Sequence, residues 1–161
     1  MPERPAPRPG FAASPSRPQS YLSFDFGTRR VGVATGNSLL GLAQPLKTLN
    51  VEGDARFAAI AQLISQWQPS ALVVGVPFHP DGAAHENTRR AQRFARQLHG
   101  RFRLPVHEVD ERYTTTEALA AGAADADAAA AALILEQFLR GAAATDIPPS
   151  QPVQDPADAA A

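Results

Sequence analysis

The stretch YLSFDFGTRRVGVATGN, residues 21–37, contains two short apolar segments joined by a tight turn. Residues 21–26 are mostly large and apolar, and valines alternate with small residues over 29–35, so both segments are predicted to be β-strands. The Gly-Thr pair between them predicts a hairpin. Asp25 lies inside the first strand, where a charged side chain needs a partner or a bound cation. A simpler interpretation is that this aspartate caps the turn through its own side chain.

Outward from the hairpin, the apolar pattern predicts an α/β domain with a mixed sheet flanked by helices. The predicted elements are strands at 21–26, 29–35 and 39–49, a helix at 54–68, a strand at 71–77, a helix at 87–99, a strand at 104–110, a short helix from 114 and a helix at 127–140. Pro45 favours an edge position for the third strand, because proline has no backbone N–H to donate. In the first helix, Asp54 is a candidate N-cap, and Trp67 falls on the apolar stripe and is predicted to lie in the core.

The two ends of the 161-residue chain differ in composition from its middle. Residues 1–19 and 141–161 are rich in proline and poor in large apolar side chains, so both are predicted to be disordered. Residues 20–140 are then expected to form one folded domain. The chain has no cysteine, which excludes thiolate metal sites. With no apolar segment suited to a membrane span or signal peptide, we expect a cytoplasmic protein with no membrane association.

Positive charge is concentrated in one segment, although the formal net charge is only −1. Arginines occur repeatedly between residues 89 and 103 with no acidic residue among them. A solvated helix face is the ordinary explanation for such a run. The absence of acids nevertheless favours contact with nucleic-acid phosphates, with Arg89, Arg93 and Arg96 as candidates.

A second set of carboxylates follows the last predicted strand. Asp110 and Glu111 lie where functional residues of α/β sheets collect, at a strand end. Either of them could instead be a loop charge paired with the adjacent Arg112. Taken alone, the position favours the loop charge.

A third set precedes the last predicted helix. Asp125 and Asp127 could simply favour the positive end of the helix dipole. At about 100° per residue, Asp127 lies opposite the polar Glu136, so it faces the protein body and needs a partner there. Carboxylates at a strand centre, a strand end and an inward helix face could converge on one site. Such hard oxygen donors suit Mg²⁺ or Mn²⁺, which can assist phosphodiester hydrolysis.

Four motifs in order resemble one known family. FDFGTRRVGVA, VVGVPFHPDG, VDERYTT and DAAAAALILEQFL are similar to motifs of the YqgF/RuvX family of RNase H-like proteins, over roughly residues 20–140. The resemblance implies an RNase H-like fold with a five-stranded mixed sheet flanked by helices. It also implies a nuclease that matures the 5′ end of pre-16S ribosomal RNA, or alternatively a Holliday-junction resolvase.

The resemblance also implies site residues. The family's catalytic and metal-binding acids fall on Asp25, Glu111 and Asp127, which would bind Mg²⁺ or Mn²⁺. Other motif positions are expected to contact nucleic acid: Thr28, Arg29, Arg30, Arg112, Thr114 and Thr115. The loop FHPDG, residues 78–82, departs from the family pattern Leu-Asn-Met-Asp-Gly, so its shape and RNA contacts are in doubt.

Three functions therefore stay open at the level of sequence. The first is a metal-dependent nuclease acting on pre-16S rRNA within a pre-ribosomal particle. The second is a resolvase of branched DNA, for which a symmetric homodimer rather than a monomer is expected. The third is a non-catalytic RNA-binding factor in ribosome assembly. A nucleotide-binding module is a minor alternative, because DFGTRR is also similar to a phosphate loop of the much longer actin-like ATPases.

Overall fold

The computed structural model of the protein describes residues 19–79, 81–111, 120 and 122–144. Its elements are β1 (Ser20–Phe26), β2 (Val31–Asn37), β3 (Ala43–Leu49), α1 (Gly53–Trp67), β4 (Ala71–Val76), α2 (Glu86–Phe102), β5 (Val106–Asp110) and α3 (Ala126–Ala144). The predicted α/β class is confirmed. The short helix expected from residue 114 lies outside the described residues, as does the chain before residue 19 and after residue 144.

The five strands form one sheet in the order β3-β2-β1-β4-β5. β1, β2 and β3 form an antiparallel meander, while β4 and β5 join β1 in parallel. β3 is an edge strand, as the proline at position 45 predicted. This mixed five-stranded order is the one that the RNase H-like resemblance implies.

The two faces of the sheet are covered by different helices. Phe24 of β1 belongs to a core shared with Phe57 of α1 and Phe94 of α2. Its neighbour Ser23 points the other way, and its hydroxyl donates to the carbonyl of Ala131 in α3 at 2.8 Å. Because side chains alternate along a strand, Asp25 lies on the α3 face as well.

Two expectations for α1 are wrong. The helix begins at Gly53 and has Glu52 at its N-cap position, so Asp54 lies in the first turn and is not the cap. Trp67 is 37% exposed instead of lying in the core. The fully or nearly buried stripe of α1 ends at Leu63, and Trp67 is the last residue of the helix, beyond the reach of that core.

Other boundaries differ by a few residues. β2 starts at Val31 because Arg29 and Arg30 belong to the preceding turn. β3 starts at Ala43, since residues 38–42 form the turn of the second hairpin, which carries three exposed leucines. α3 continues to Ala144, past its predicted end at 140. Alanine is the strongest helix former, and one glycine in such a run costs only about 1 kcal/mol.

Among the described residues, no helix is long and apolar enough to cross a membrane.

Candidate active site

A cleft of about 670 Å³ opens at the carboxyl end of β1. One wall is the β1–β2 turn, another is the connection from β3 to α1, and the first turn of α3 contributes a third side. The lining residues are Asp25, Phe26, Gly27, Thr28, Arg29, Arg30, Asn50, Glu52 and Asp127. Acidic and basic side chains therefore share one concave surface, which is the usual character of a site that binds charged ligands.

Gly32 allows Asp25 and Asp127 to lie at the same cleft. Asp25 pairs with Gly32 across the β1–β2 ladder. A Cβ atom on Gly32 would overlap the carbonyl oxygen of Asp127 and lie 2.9 Å from the amide nitrogen of Ala128. The first turn of α3 thus rests directly on the backbone of β2, in a place that only glycine leaves open. This contact places Asp127 of α3 at the same cleft as Asp25 of β1.

The two aspartates before α3 have different environments. The carboxylate of Asp125 accepts a hydrogen bond from the amide of Ala128 at 3.1 Å and another from the hydroxyl of Thr48 at 2.5 Å. Asp125 therefore caps the helix. Asp127 lines the cleft, and its Oδ2 lies 3.1 Å from the Nε atom of Arg30.

Glu111 lies on the same face of the sheet as Asp25, with β4 between their two strands. Its backbone N–H donates to the carbonyl of Val76 at 3.0 Å, which extends the β4–β5 pairing by one residue. Its carboxylate lies over Gly75, where a Cβ atom would overlap the Oε2 atom and would also lie 2.6 Å from Ile134 of α3. Glu111 is not among the residues that line the cleft.

The three acids fit a hard divalent cation by donor type and by shared face. Carboxylate oxygens are the ligands that Mg²⁺ and Mn²⁺ prefer. Within the described ranges, no group of three or more His, Cys, Asp or Glu side chains lies close enough to hold a metal ion as the side chains stand. At the cleft, the Asp127 carboxylate is paired with Arg30.

Arg56 connects two walls of the cleft and was missed by sequence reasoning. It is only 6% exposed. Its Nε donates to the carbonyl of Val51 at 3.0 Å, and its terminal amino group donates to the carbonyl of Thr28 at 3.1 Å. Burial lowers the pKa of this guanidinium, and the negative charge of Glu52 acts in the opposite direction. The available signal was its spacing, because Arg56 precedes Ile60 by four residues on the buried face of α1.

The basic candidates occupy two separate surfaces. Arg29 and Arg30 line the cleft. Arg89, Arg93 and Arg96 are exposed along α2, on the face away from α3. The structure therefore does not bring the helix arginines together with the acids. Arg112, Thr114 and Thr115 lie outside the described residues.

Not all arginines of the α2 segment are alike. Arg90 forms an ion pair with Glu86 at 2.9 Å, four residues before it. Arg101 lies 3.7 Å from the carboxylate of Asp54 and stacks over the ring of Phe57 at 4.0 Å. These two side chains have partners within the protein, in keeping with the ordinary interpretation of a charged helix face.

Comparison with known proteins places this geometry in a family. Residues 19–141 match the family model described as RuvX, Holliday junction resolvase. The chain belongs to the RuvX family. A relative from Albidiferax ferrireducens, named "Putative pre-16S rRNA nuclease", is 70% identical over 76% of this chain and 78% of its own length. A relative of the same name from Polaromonas is 68% identical over 76% and 88%, and one from Paraburkholderia phytofirmans is 53% identical over 78% and 90%.

Solved structures show the same fold at low identity. RuvC of Thermus thermophilus in complex with a Holliday junction substrate superimposes with a TM-score of 0.52 at 15% identity, over 82% of this chain and 99% of that one. A second structure of that RuvC gives a TM-score of 0.50 at 14% identity, over 81% and 99%. The RuvX chain described here therefore has the RNase H-like fold of RuvC. Nucleases of this fold use divalent cations in general, and their substrates are nucleic acids.

Proposed function

We propose that this RuvX protein is a metal-dependent nuclease that processes the 5′ end of pre-16S rRNA in the cytoplasm. The observation that carries the proposal is the contact of α3 with Gly32, which puts Asp127 and Asp25 at one cleft. The relatives' names support rRNA as the substrate, since identities of 50–70% extend over most of both chains. The expected partner is a pre-ribosomal particle.

Each acid has a defined task in this proposal. Asp25, Asp127 and Glu111 would hold Mg²⁺ or Mn²⁺. Such an ion, when bound, lowers the pKa of water and stabilises charge on the leaving oxygen. The protein's own contribution is to present these carboxylates on one face of the sheet, with Asp25 near the end of β1, Asp127 in the first turn of α3 and Glu111 directly after β5.

The arginines bind and orient the substrate backbone. Arg29 and Arg30 lie within the cleft and are placed to contact the phosphate near the point of cleavage. Arg89, Arg93 and Arg96 follow each other at spacings of four and three residues along α2, so they form one exposed stripe. A substrate that contacts both the cleft and the α2 stripe would need to extend past the end of β4. This requirement favours a folded RNA over a short single strand. Thr28, Arg112, Thr114 and Thr115 remain proposed contacts.

The decisive experiment removes one carboxylate with minimal change of shape. We expect Asp25→Asn to abolish cleavage of precursor 16S rRNA in Mn²⁺ while RNA binding and folding persist. Asp54→Asn is the matched control, because the side chain of Asp54 is 99% exposed on α1 and does not line the cleft. Chelator should stop the wild type as completely as the substitution does. Undiminished cleavage by Asp25→Asn would refute the assignment.

A second candidate function is resolution of four-way DNA junctions. The family description and the fold shared with RuvC favour testing it. The same variants incubated with a synthetic junction decide the matter, and a resolvase would also need to be a symmetric dimer. Metal-dependent cutting of the junction alone would replace rRNA as the substrate. Salt-sensitive RNA binding with no cutting of either substrate would indicate a binding factor.

A further inference from the structure

We propose that Arg30 is an exchangeable counter-ion for Asp127, which a divalent cation displaces so that the arginine is transferred to a substrate phosphate. Cation binding and nucleic-acid binding would then be coupled through one side chain. The inference rests on the proposed function, because it takes Asp127 to be a ligand of the cation.

The geometry of the pair is the first observation. Arg30 is the last residue of the β1–β2 turn, and Asp127 is in the first turn of α3. The Nε atom of Arg30 lies 3.1 Å from Oδ2 of Asp127. Both residues line the cleft that also contains Asp25. Arg30 thus neutralises Asp127, one of the proposed ligands of the cation, within the cleft.

The exposure of the pair is the second observation. The side chain of Arg30 is 62% exposed and that of Asp127 is 33% exposed. Ion pairs this open to water contribute little, so that one such pair changes a binding constant by no more than about fivefold. A doubly charged cation held by several carboxylates outcompetes such a partner. The structure is therefore consistent with a pair that forms and breaks readily.

Arg56, beside the same cleft, is by contrast an arginine whose side chain is held in place. It is 6% exposed, and two of its donors are committed to backbone carbonyls of the cleft walls. Moving it would leave those acceptors without their donors. The side chain of Arg30 is held differently, since within the described residues it pairs with the Asp127 carboxylate and not with a backbone carbonyl.

Transfer to phosphate gives the released arginine a partner. A guanidinium binds a phosphate through two parallel hydrogen bonds, which is a stronger arrangement than one contact to a partly exposed carboxylate. Coupling of this kind is reciprocal, so a substrate that engages Arg30 should also tighten cation binding. The protein would then bind cation weakly when alone and more tightly with substrate.

The first test measures Mn²⁺ binding to the full chain by calorimetry without nucleic acid. Arg30→Ala should bind Mn²⁺ about two- to fivefold more tightly than Arg29→Ala. Arg29 lines the same cleft and carries the same charge, so its removal controls for the general loss of positive charge. Equal affinities of the two variants would overturn the inference.

This design separates the two levels of the proposal. If the wild type binds Mn²⁺ and Asp25→Asn weakens that binding, the proposed site stands whatever the arginine variants do. If the wild type binds no Mn²⁺, the proposed function and the inference both fail.

The second test measures the coupling itself. Fluorescence anisotropy with a short RNA duplex, read within seconds of mixing, gives affinities in Mn²⁺ and in chelator. Mn²⁺ should strengthen RNA binding by a larger factor in the wild type than in Arg30→Ala, whereas Arg29→Ala should retain the wild-type factor. The same factor in the wild type and Arg30→Ala would show that Arg30 does not couple the two ligands.

Discussion

A side chain can support the walls of the cleft without lining it. Arg56 lies outside the cleft but is hydrogen-bonded to the carbonyls of Thr28 and Val51, one on each of two walls. Its guanidinium also lies 5.6 Å from the centre of the Phe26 ring, a cleft residue. A buried cation in this position is a positioning residue, because its partners are backbone groups and not the substrate.

Replacement of Arg56 by methionine should destabilise the protein and loosen the cleft. The long apolar side chain keeps most of the volume but leaves two carbonyl acceptors without donors, and each loss costs about 1–3 kcal/mol if the group stays buried. Urea denaturation would measure the change. Arg93→Met, at an exposed position of α2, should lie within about 0.5 kcal/mol of the wild type. Equal stability of the two variants would contradict the role given to Arg56.

Packing between elements decides where the acids meet. α3 rests on β2 at Gly32, and Ile134 of α3 reaches Gly75 of β4, so two glycines leave room for one helix. The geometry of the cleft is therefore a property of the α3–sheet contact and not of the hairpin motif alone.

Gly32→Ala should displace the first turn of α3 and separate Asp127 from Asp25. The added methyl group would meet helix backbone, which cannot rotate away as a side chain can. Overpacking of this kind typically costs about 1–3 kcal/mol. We expect lower stability together with weaker Mn²⁺ binding.

A matched glycine is available in α2. A Cβ atom at Gly100 would meet nothing within 4 Å, so Gly100→Ala should stabilise the helix by up to about 1 kcal/mol and leave Mn²⁺ binding unchanged. Wild-type Mn²⁺ affinity in Gly32→Ala would show that the α3 contact does not set the site.

The contact between β5 and α3 should give stability a pH dependence. His107 of β5 packs against the ring of Phe138 in α3 at 4.8 Å, and burial lowers the pKa of this histidine. The unfolded chain then binds more protons than the folded one below about pH 6.5, so stability falls as pH falls through that range. The free energy of unfolding at pH 7.5 and pH 5.5 should differ less in His107→Leu than in the wild type. An equal difference in the two proteins would show that the burial of His107 does not set the pH dependence.

At the scale of the whole molecule, positive charge is divided between two surfaces. Arg29 and Arg30 lie at the cleft, while the α2 stripe lies on the other side of the sheet. Binding and cutting should therefore be separable by substitution. A substrate that reaches both surfaces is larger than the cleft itself.

The triple substitution of Arg89, Arg93 and Arg96 by glutamine should weaken RNA binding and reduce its salt dependence. Each lost phosphate contact lowers the slope of log K against log salt by about 0.7–0.9. Cleavage at saturating RNA should persist, because the acids lie on the opposite face. Arg90→Gln with Arg101→Gln is the control, because it removes positive charge from the same helix at positions where Glu86 and Asp54 lie beside the arginines. An unchanged slope in the triple variant would remove α2 from the interface.

Periodicity predicted much of this arrangement because faces of strands and helices follow directly from spacing. The edge position of the third strand followed from Pro45, and the distinction between Asp125 and Asp127 followed from the turn angle of a helix. Contacts with distant partners do not follow from spacing. Neither the bond between Thr48 and Asp125 nor the pair of Arg30 with Asp127 has any local signal. The prediction for Trp67 was wrong for a related reason. A residue can fall on the apolar stripe of a helix and still lie beyond the end of the core that the stripe faces.

The docking of α3 on the first strands also has a consequence for timing. Asp25 is synthesised early and lies in a hairpin that can form at once, whereas Asp127 belongs to α3. Protein synthesis proceeds from the N-terminus, and domains complete their folding only when all their elements are available. A partly made chain would have the turn, the arginines, Asp25 and Glu111 without the helix that brings Asp127. The centre would thus stay incomplete until translation has passed α3, so that a nascent chain beside ribosomal RNA would be unable to cut it.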